Sequence, residues 1–280
     1  MRMLSRSTLL WIFIAALLLF AAIRLQPEAW LRSQIDQLAS AQGITLHYDR
    51  LALHGTGLNL THCTIQNARM RQPLVLDQLQ VLPHWLSLLT TPAAHIEAAR
   101  QGVHATLDAT LQADQLTLQV IHASASAADL QQLLQGVVQA PVPLAGQLQL
   151  AGKATLHLAD GFPQQLDLTL QWQAAAVRFP GIDKPLGDYQ LHLTADGTTD
   201  GTTDGGKPWA WQVSGGTRLL IDGHGSVAAA AERLPVTWPL QGEIKIQADA
   251  AAPELAAMLG GKAMRFTLSG NLQQPALLPR

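Results

Sequence analysis

Apolar and polar residues alternate along most of the chain beyond residue 43. In residues 144–158 Leu, Ala and Gly share one parity up to Leu158, whereas Gln, Lys, Thr and His fill many of the positions between them. Shorter series occur in residues 44–48, 116–120, 189–195 and 244–248. A further long series with the same spacing consists of Leu166, Leu168, Leu170, Trp172, Ala174 and Ala176. This pattern predicts half-buried antiparallel strands with one apolar and one polar face.

The sequence of the amino-terminal region predicts a membrane anchor. Residues 8–25 are predominantly apolar and contain one charged residue, which is close to the roughly 20 residues that span a bilayer. The bulky residues Leu19 and Phe20 stand where signal peptidase requires small ones, so an uncleaved anchor is favoured over a cleaved signal peptide. The basic tail, residues 1–7, is expected to stay in the cytoplasm. Residues after the anchor are then exported, and in a Gram-negative bacterium this exported domain is periplasmic.

The segment after the anchor has helical rather than strand spacing. Apolar residues between 27 and 41 recur at intervals of three and four, and Gly43 follows as a stop signal. We expect a connecting helix within residues 26–42, followed by a β-rich domain over residues 43–280.

Two further short helices are expected among the strands. Ser126 and Asp129 form a capping box at the start of residues 126–138, whose leucines and valines fall on one helical face. Pro253 suits the first position of the other helix, residues 253–259. Similar Ala- and Leu-rich sequence surrounds both helices, which suggests an internal duplication.

Composition narrows the classes of function. Charged residues make up 14% of the chain and the formal net charge is -2, so the basic surface typical of nucleic-acid binding is missing. Cys63 is the only cysteine, which excludes an internal disulfide and a multi-cysteine metal cluster. Aromatic residues make up only 5%, so the core relies on aliphatic side chains. Four tryptophans lie in or beside predicted strands. For these residues we favour a role in the sheet core over a role in lining an apolar groove: Trp172, Trp209, Trp211 and Trp238.

Candidate catalytic and metal-binding groups do not fit known patterns. Calcium loops place oxygens two residues apart, but the aspartates of the loop 196–206 lie four apart, at Asp196, Asp200 and Asp204. A glycine-rich turn separates His54 from His62 and Cys63, and neighbours on a strand point to opposite faces. No nucleophile elbow, phosphate loop or dinucleotide fingerprint occurs. We therefore predict no catalytic, cofactor-binding or metal-binding residues, and no enzyme.

Three segments of the carboxyl-terminal half resemble the bacterial type II secretion system protein N family. They are LQWQAAAV at residues 170–177, PLGDYQLHL at residues 185–193 and GNLQQP at residues 270–275, with the loop 196–206 as an apparent insertion. The resemblance implies an accessory, non-catalytic subunit of the secretion machine, anchored in the inner membrane and without a cofactor. The implied partners are the inner-membrane connector protein and the outer-membrane secretin.

That family is similar to AsmA-type envelope proteins, which implies a long curved antiparallel sheet with an apolar concave face. The expected fold is therefore mainly β: a transmembrane helix over residues 8–25, then a trough-like sheet with two or three short helices. The alternative function is an AsmA-like periplasmic module that binds or transfers lipid in an apolar groove. A general envelope scaffold is a third hypothesis.

Overall fold

The computed structural model describes most of the chain from residue 27 onward. The described residues are 27–41, 43–54, 57–67, 73–84, 87, 90–134, 144–158, 163–177, 185–195, 208–228, 237–271 and 274–280. The predicted anchor, residues 8–25, lies outside them. Among the helices that the structure does describe, none combines the length and the apolar character needed to cross a membrane.

The fold is mainly β, as the alternation predicts, with 15 strands in an antiparallel sheet. The chain divides into two compact units, Met1–Leu76 and Asp77–Arg280. This boundary falls inside residues 43–280, which the sequence treats as one domain.

The first unit contains the connecting helix and three strands: α1 (Pro27–Ala41), β1 (Ile44–His47), β2 (Arg50–His54) and β3 (Gly57–Asn67). The predicted helix is confirmed, and Gly43 follows it with a φ of 66°. The Gly43 N–H donates to the Ser40 carbonyl oxygen at 3.0 Å. Both β1 and β2 pair with β3.

The second unit is a succession of strands, each hydrogen-bonded to the next in the chain. They are β4 (Leu74–Pro83, which begins before the boundary), β5 (Ala93–Arg100), β6 (Val103–Gln112), β7 (Gln115–Ser126), β8 (Leu144–His157), β9 (Pro163–Val177), β10 (Gly187–Ala195), β11 (Trp209–Gly215), β12 (Leu219–Val227), β13 (Leu240–Ala248), β14 (Met264–Gly270) and β15 (Pro275–Pro279). Helix α2 (Ala127–Leu134) follows β7, and α3 (Pro253–Met258) follows β13.

Both predicted short helices are confirmed, with adjusted ends. The Asp129 N–H donates to Ser126 Oγ at 3.1 Å, and the Ser126 hydroxyl donates to Asp129 Oδ2 at 2.6 Å. The capping residues therefore satisfy a backbone donor at the start of α2, as the sequence predicts. Residues 135–138 of that prediction lie outside the described residues. Pro253 begins α3, which ends at Met258 with Leu259 as its C-cap.

The predicted parity is wrong at the end of β9. Ala174 is exposed and Ala175 is fully buried, so Ala174 does not continue the apolar series of Trp172. A β-bulge causes this change, because Ala174 and Ala175 together lie opposite Gly146 of β8. Ala174 has a φ of 48°, and its N–H donates to Asp188 Oδ1 at 2.7 Å.

Leu158 also departs from the predicted apolar face. It lies in the turn after β8 and is 47% exposed. Its N–H donates to the carbonyl oxygen of Asp114 at 2.8 Å, and Asp114 belongs to the β6–β7 turn. The alternation of β8 therefore ends one residue before Leu158.

Buried side chains of the second unit form two clusters toward its carboxyl-terminal strands. One cluster consists of Ala175, Leu186, Tyr189, Ala252 and Leu255. The other consists of Trp211, Val227, Trp238 and Leu240, with Trp209 edge-on to Trp238 at 4.7 Å between ring centroids. The prediction that Trp211 and Trp238 belong to the core is confirmed. Among the described residues of β5–β8, in contrast, only Ala125 and Thr155 are buried.

Candidate functional site

The apolar side of β5–β8 is a half-exposed surface, which we call the open face. It consists of register-matched residues of these four strands. Every one of them is half-buried and none is charged: Ala94, Ile96, Ala98, Ala105, Leu107, Ala109, Leu118, Val120, Ala123, Leu150, Gly152 and Ala154. Apart from Arg100 at one end of β5, this surface is uncharged, and a surface of this kind can contact another apolar body.

Small and large side chains of the open face follow different rows across the strands. Ala98, Ala105 and Ala123 are successive register partners on β5, β6 and β7. The neighbouring row on the same strands holds larger side chains, Ile96, Leu107 and Val120. Because adjacent strands lie about 4.8 Å apart, the three alanines form a row of small side chains that runs across the strands. We call it the alanine row.

Arg100 lies beside the alanine row. It follows Ala98 by two residues on β5, has the same parity and is half-buried. Its register partner is Val103 on β6. The open face therefore carries a guanidinium group beside the alanine row, and this group can bind an anion.

The polar side of the sheet carries histidine–carboxylate pairs that the sequence analysis missed. His95 Nδ1 lies 2.7 Å from Asp108 Oδ1, and the two residues are direct register partners on β5 and β6. His192 Nε2 lies 2.8 Å from Asp167 Oδ1. The hydrogen bond to Asp108 raises the pKa of His95 above its usual value, although partial burial acts in the opposite direction.

Cys63 and His62 are neighbours on β3 and differ in exposure, as expected for adjacent residues of a strand. Cys63 is completely buried, whereas the His62 side chain is 69% exposed and lies 3.3 Å from Asp49. Burial raises the pKa of the Cys63 thiol and so disfavours the nucleophilic thiolate. His54 lies on β2, and no group of three potential metal ligands occurs among the residues described. The aspartates Asp196, Asp200 and Asp204 lie outside the described residues.

Residues from two of the three segments that carry the family resemblance, 170–177 and 185–193, pack together, and we call them the motif cluster. It consists of Trp172 and Ala175 from the first segment and of Leu186, Gly187, Asp188 and Tyr189 from the second. The Trp172 and Tyr189 rings lie 5.9 Å apart between centroids. Leu255 of helix α3 and Ala252, the N-cap residue of that helix, belong to the same cluster.

Polar groups of the motif cluster hold neighbouring strands together. Trp172 Nε1 donates to the Ala145 carbonyl oxygen of β8 at 2.9 Å. The Tyr189 hydroxyl donates to the Leu219 carbonyl oxygen of β12 at 2.7 Å. Gly187 has a φ of 131°, and a Cβ there would collide with the Thr217 amide nitrogen. Three residues of the short motif LGDY therefore have defined structural roles: Gly187 permits a close backbone approach, and Asp188 and Tyr189 form hydrogen bonds to the backbone.

Comparisons with known proteins found no match. A scan against protein-family models, a search of curated proteins and a search of solved structures each returned no match.

Proposed function

We propose that the chain is an inner-membrane-anchored, non-catalytic accessory subunit of a type II protein secretion system. The observation that supports this best is the motif cluster. Residues chosen from sequence resemblance alone, at 170–177 and 185–193, pack together around Trp172 and Tyr189. Because β9 and β10 are neighbouring strands, the specific support comes from the hydrogen bonds that Trp172 and Tyr189 donate to backbone carbonyl oxygens of β8 and β12.

In this proposal residues 8–25 hold the chain in the bilayer, and residues 43–280 reach into the periplasm. There the chain contacts the inner-membrane connector and the outer-membrane secretin. The curved AsmA-like trough is part of the same proposal.

Deletion of the gene tests the secretion role. We expect exoproteins of the type II pathway to accumulate in the periplasm of the deletion strain, and the intact gene to restore their secretion. Proteins of other export routes serve as the control. Unchanged exoprotein secretion in the deletion strain would reject the proposal.

The open face favours a second candidate, an AsmA-like module that binds or transfers lipid. The alanine row offers space for an acyl chain, and each methylene buried there would contribute about 0.8 kcal/mol. Arg100 stands beside the row and would pair with an anionic headgroup.

Photo-reactive phospholipid in isolated membranes tests the lipid candidate on the full chain. We expect labelling of the chain, and a several-fold decrease for Ala105→Leu, which fills the alanine row. Ala151→Leu is the matched control, because Ala151 is exposed on the opposite side of β8. Equal labelling of both variants and the parent chain, or no labelling at all, would exclude the open face as a lipid site.

A further inference from the structure

Strand β15 ends the strand order of the sheet, and one of its two edges has no partner among the described strands. All five of its residues are exposed. Leu277 is 51% and Leu278 59% exposed. An exposed apolar edge strand without charge is a template for strand addition.

The hydrogen bonds at both ends of β15 fix which residues face the free edge. At the hairpin, Asn271 and Gln274 exchange backbone hydrogen bonds at 3.4 and 3.2 Å. At the other end, the Arg280 N–H donates to the Arg265 carbonyl oxygen at 2.9 Å. Hydrogen-bonded and non-hydrogen-bonded pairs alternate along an antiparallel ladder.

The Asn271–Gln274 pair and the Arg265–Arg280 pair lie six register positions apart on this ladder, an even number, so both give the same assignment. Ala276 and Leu278 direct their backbone groups to β14, because their register partners are Ser269 and Thr267. The backbone groups of Pro275, Leu277 and Pro279 point to the free edge.

Two of these three outward residues are prolines and lack an N–H. The free edge presents three carbonyl oxygens but only the N–H of Leu277. A second strand would find one complete pair of hydrogen bonds there, flanked on both sides by positions without a donor.

We propose that Pro275 and Pro279 close this edge to strand addition by a second copy of the chain. This inference goes beyond the secretion and lipid proposals and depends on neither.

Disulfide trapping in isolated membranes tests the proposal on the full chain. Two copies could pair antiparallel about a two-fold axis at Leu277. The Leu277 Cα atoms of the two copies would then lie about 5.5 Å apart, which is within the range of a disulfide. The test therefore compares Leu277→Cys alone with Leu277→Cys combined with Pro275→Val and Pro279→Val.

We expect at least a five-fold increase in disulfide-linked dimer when both prolines are replaced, and a smaller increase for each single proline substitution. Ala276→Val with Leu277→Cys is the matched control, because Ala276 is bonded to β14, and it should leave dimer formation unchanged. The single proline variants keep the test usable if the double variant fails to fold. Dimer formation that is equally high with the prolines present, or that does not rise on their replacement, would overturn the proposal.

Discussion

Tyr189 combines the packing and polar contacts of the motif cluster in one side chain. Its ring contacts Trp172, and its hydroxyl donates to the Leu219 carbonyl oxygen at 2.7 Å. Burial raises the pKa of Tyr189 to about 12. The neutral phenol is therefore the form that the folded chain stabilises.

Tyr189→Phe should lower the free energy of unfolding by about 1 kcal/mol at neutral pH, because the hydrogen bond to Leu219 is lost. The unfolded chain releases the tyrosine proton near pH 10, whereas the folded chain holds it to about pH 12. The stability that Tyr189 contributes is therefore present below pH 10 and declines as pH rises from 10 to 12. Urea unfolding of parent and variant between pH 8 and 11.5 measures this difference. A gap between parent and variant that stays constant or widens with pH would contradict the argument.

Residues that interact within a few positions of sequence could be predicted, and those that interact through register could not. Ser126 and Asp129 lie three apart, so their capping contact follows from local geometry. His95 and Asp108 lie 13 apart and meet only because β5 and β6 pair in one register. The position of Arg100 beside the alanine row also depends on the register of β5 and β6. The residues next to Arg100 in the sequence do not predict this position.

At the scale of elements, the glycines that join strands carry strict conformational requirements. Gly216 has a φ of 95°, and its N–H donates to the Asp188 carbonyl oxygen at 2.7 Å. A Cβ at Gly216 would collide with the Leu219 carbonyl oxygen. Gly260, after α3, also has a positive φ, 66°, but a Cβ there would meet nothing within 4 Å.

These two glycines make a matched pair of substitutions. Gly260→Ala should cost about 1 kcal/mol, because only the left-handed backbone conformation opposes the alanine. Gly216→Ala should cost about 3 kcal/mol, because the collision with Leu219 adds to the same conformational penalty. Thermal or urea unfolding of the two variants measures both values. An equal loss of stability in the two variants would show that the link between β11 and β12 relaxes freely around Gly216.

The alternation of apolar residues predicts strands only where apolar and polar side chains contrast. In β8 and β13 leucine or isoleucine alternates with Gln, Lys or Glu, and both strands are confirmed. In β5 alanines occupy both parities, and in β12 glycines replace the larger inward residues, so neither strand stands out in the sequence. The bulge at Ala174 was missed because its hydrogen-bond partner, Asp188, comes from the next strand.

At the scale of the whole molecule, the two proposed functions place partners on different faces of the sheet in the second unit, Asp77–Arg280. Leu148 and Leu191 have the apolar parity of β8 and β10 and are half-buried. Gln149 and Gln190 have the opposite parity on the same strands. A partner protein on the polar face and a lipid on the apolar face would therefore contact different members of these adjacent pairs.

Photo-cross-linking in intact cells is the most direct test of the secretion role. A photo-reactive residue at each of the four positions reports which molecules lie within reach, and mass spectrometry identifies them. We expect capture of the secretin or the inner-membrane connector from Gln149 or Gln190, at higher yield than from Leu148 or Leu191. Capture of phospholipid or lipopolysaccharide from Leu148 and Leu191, with no secretion component captured from any of the four positions, would contradict this expectation.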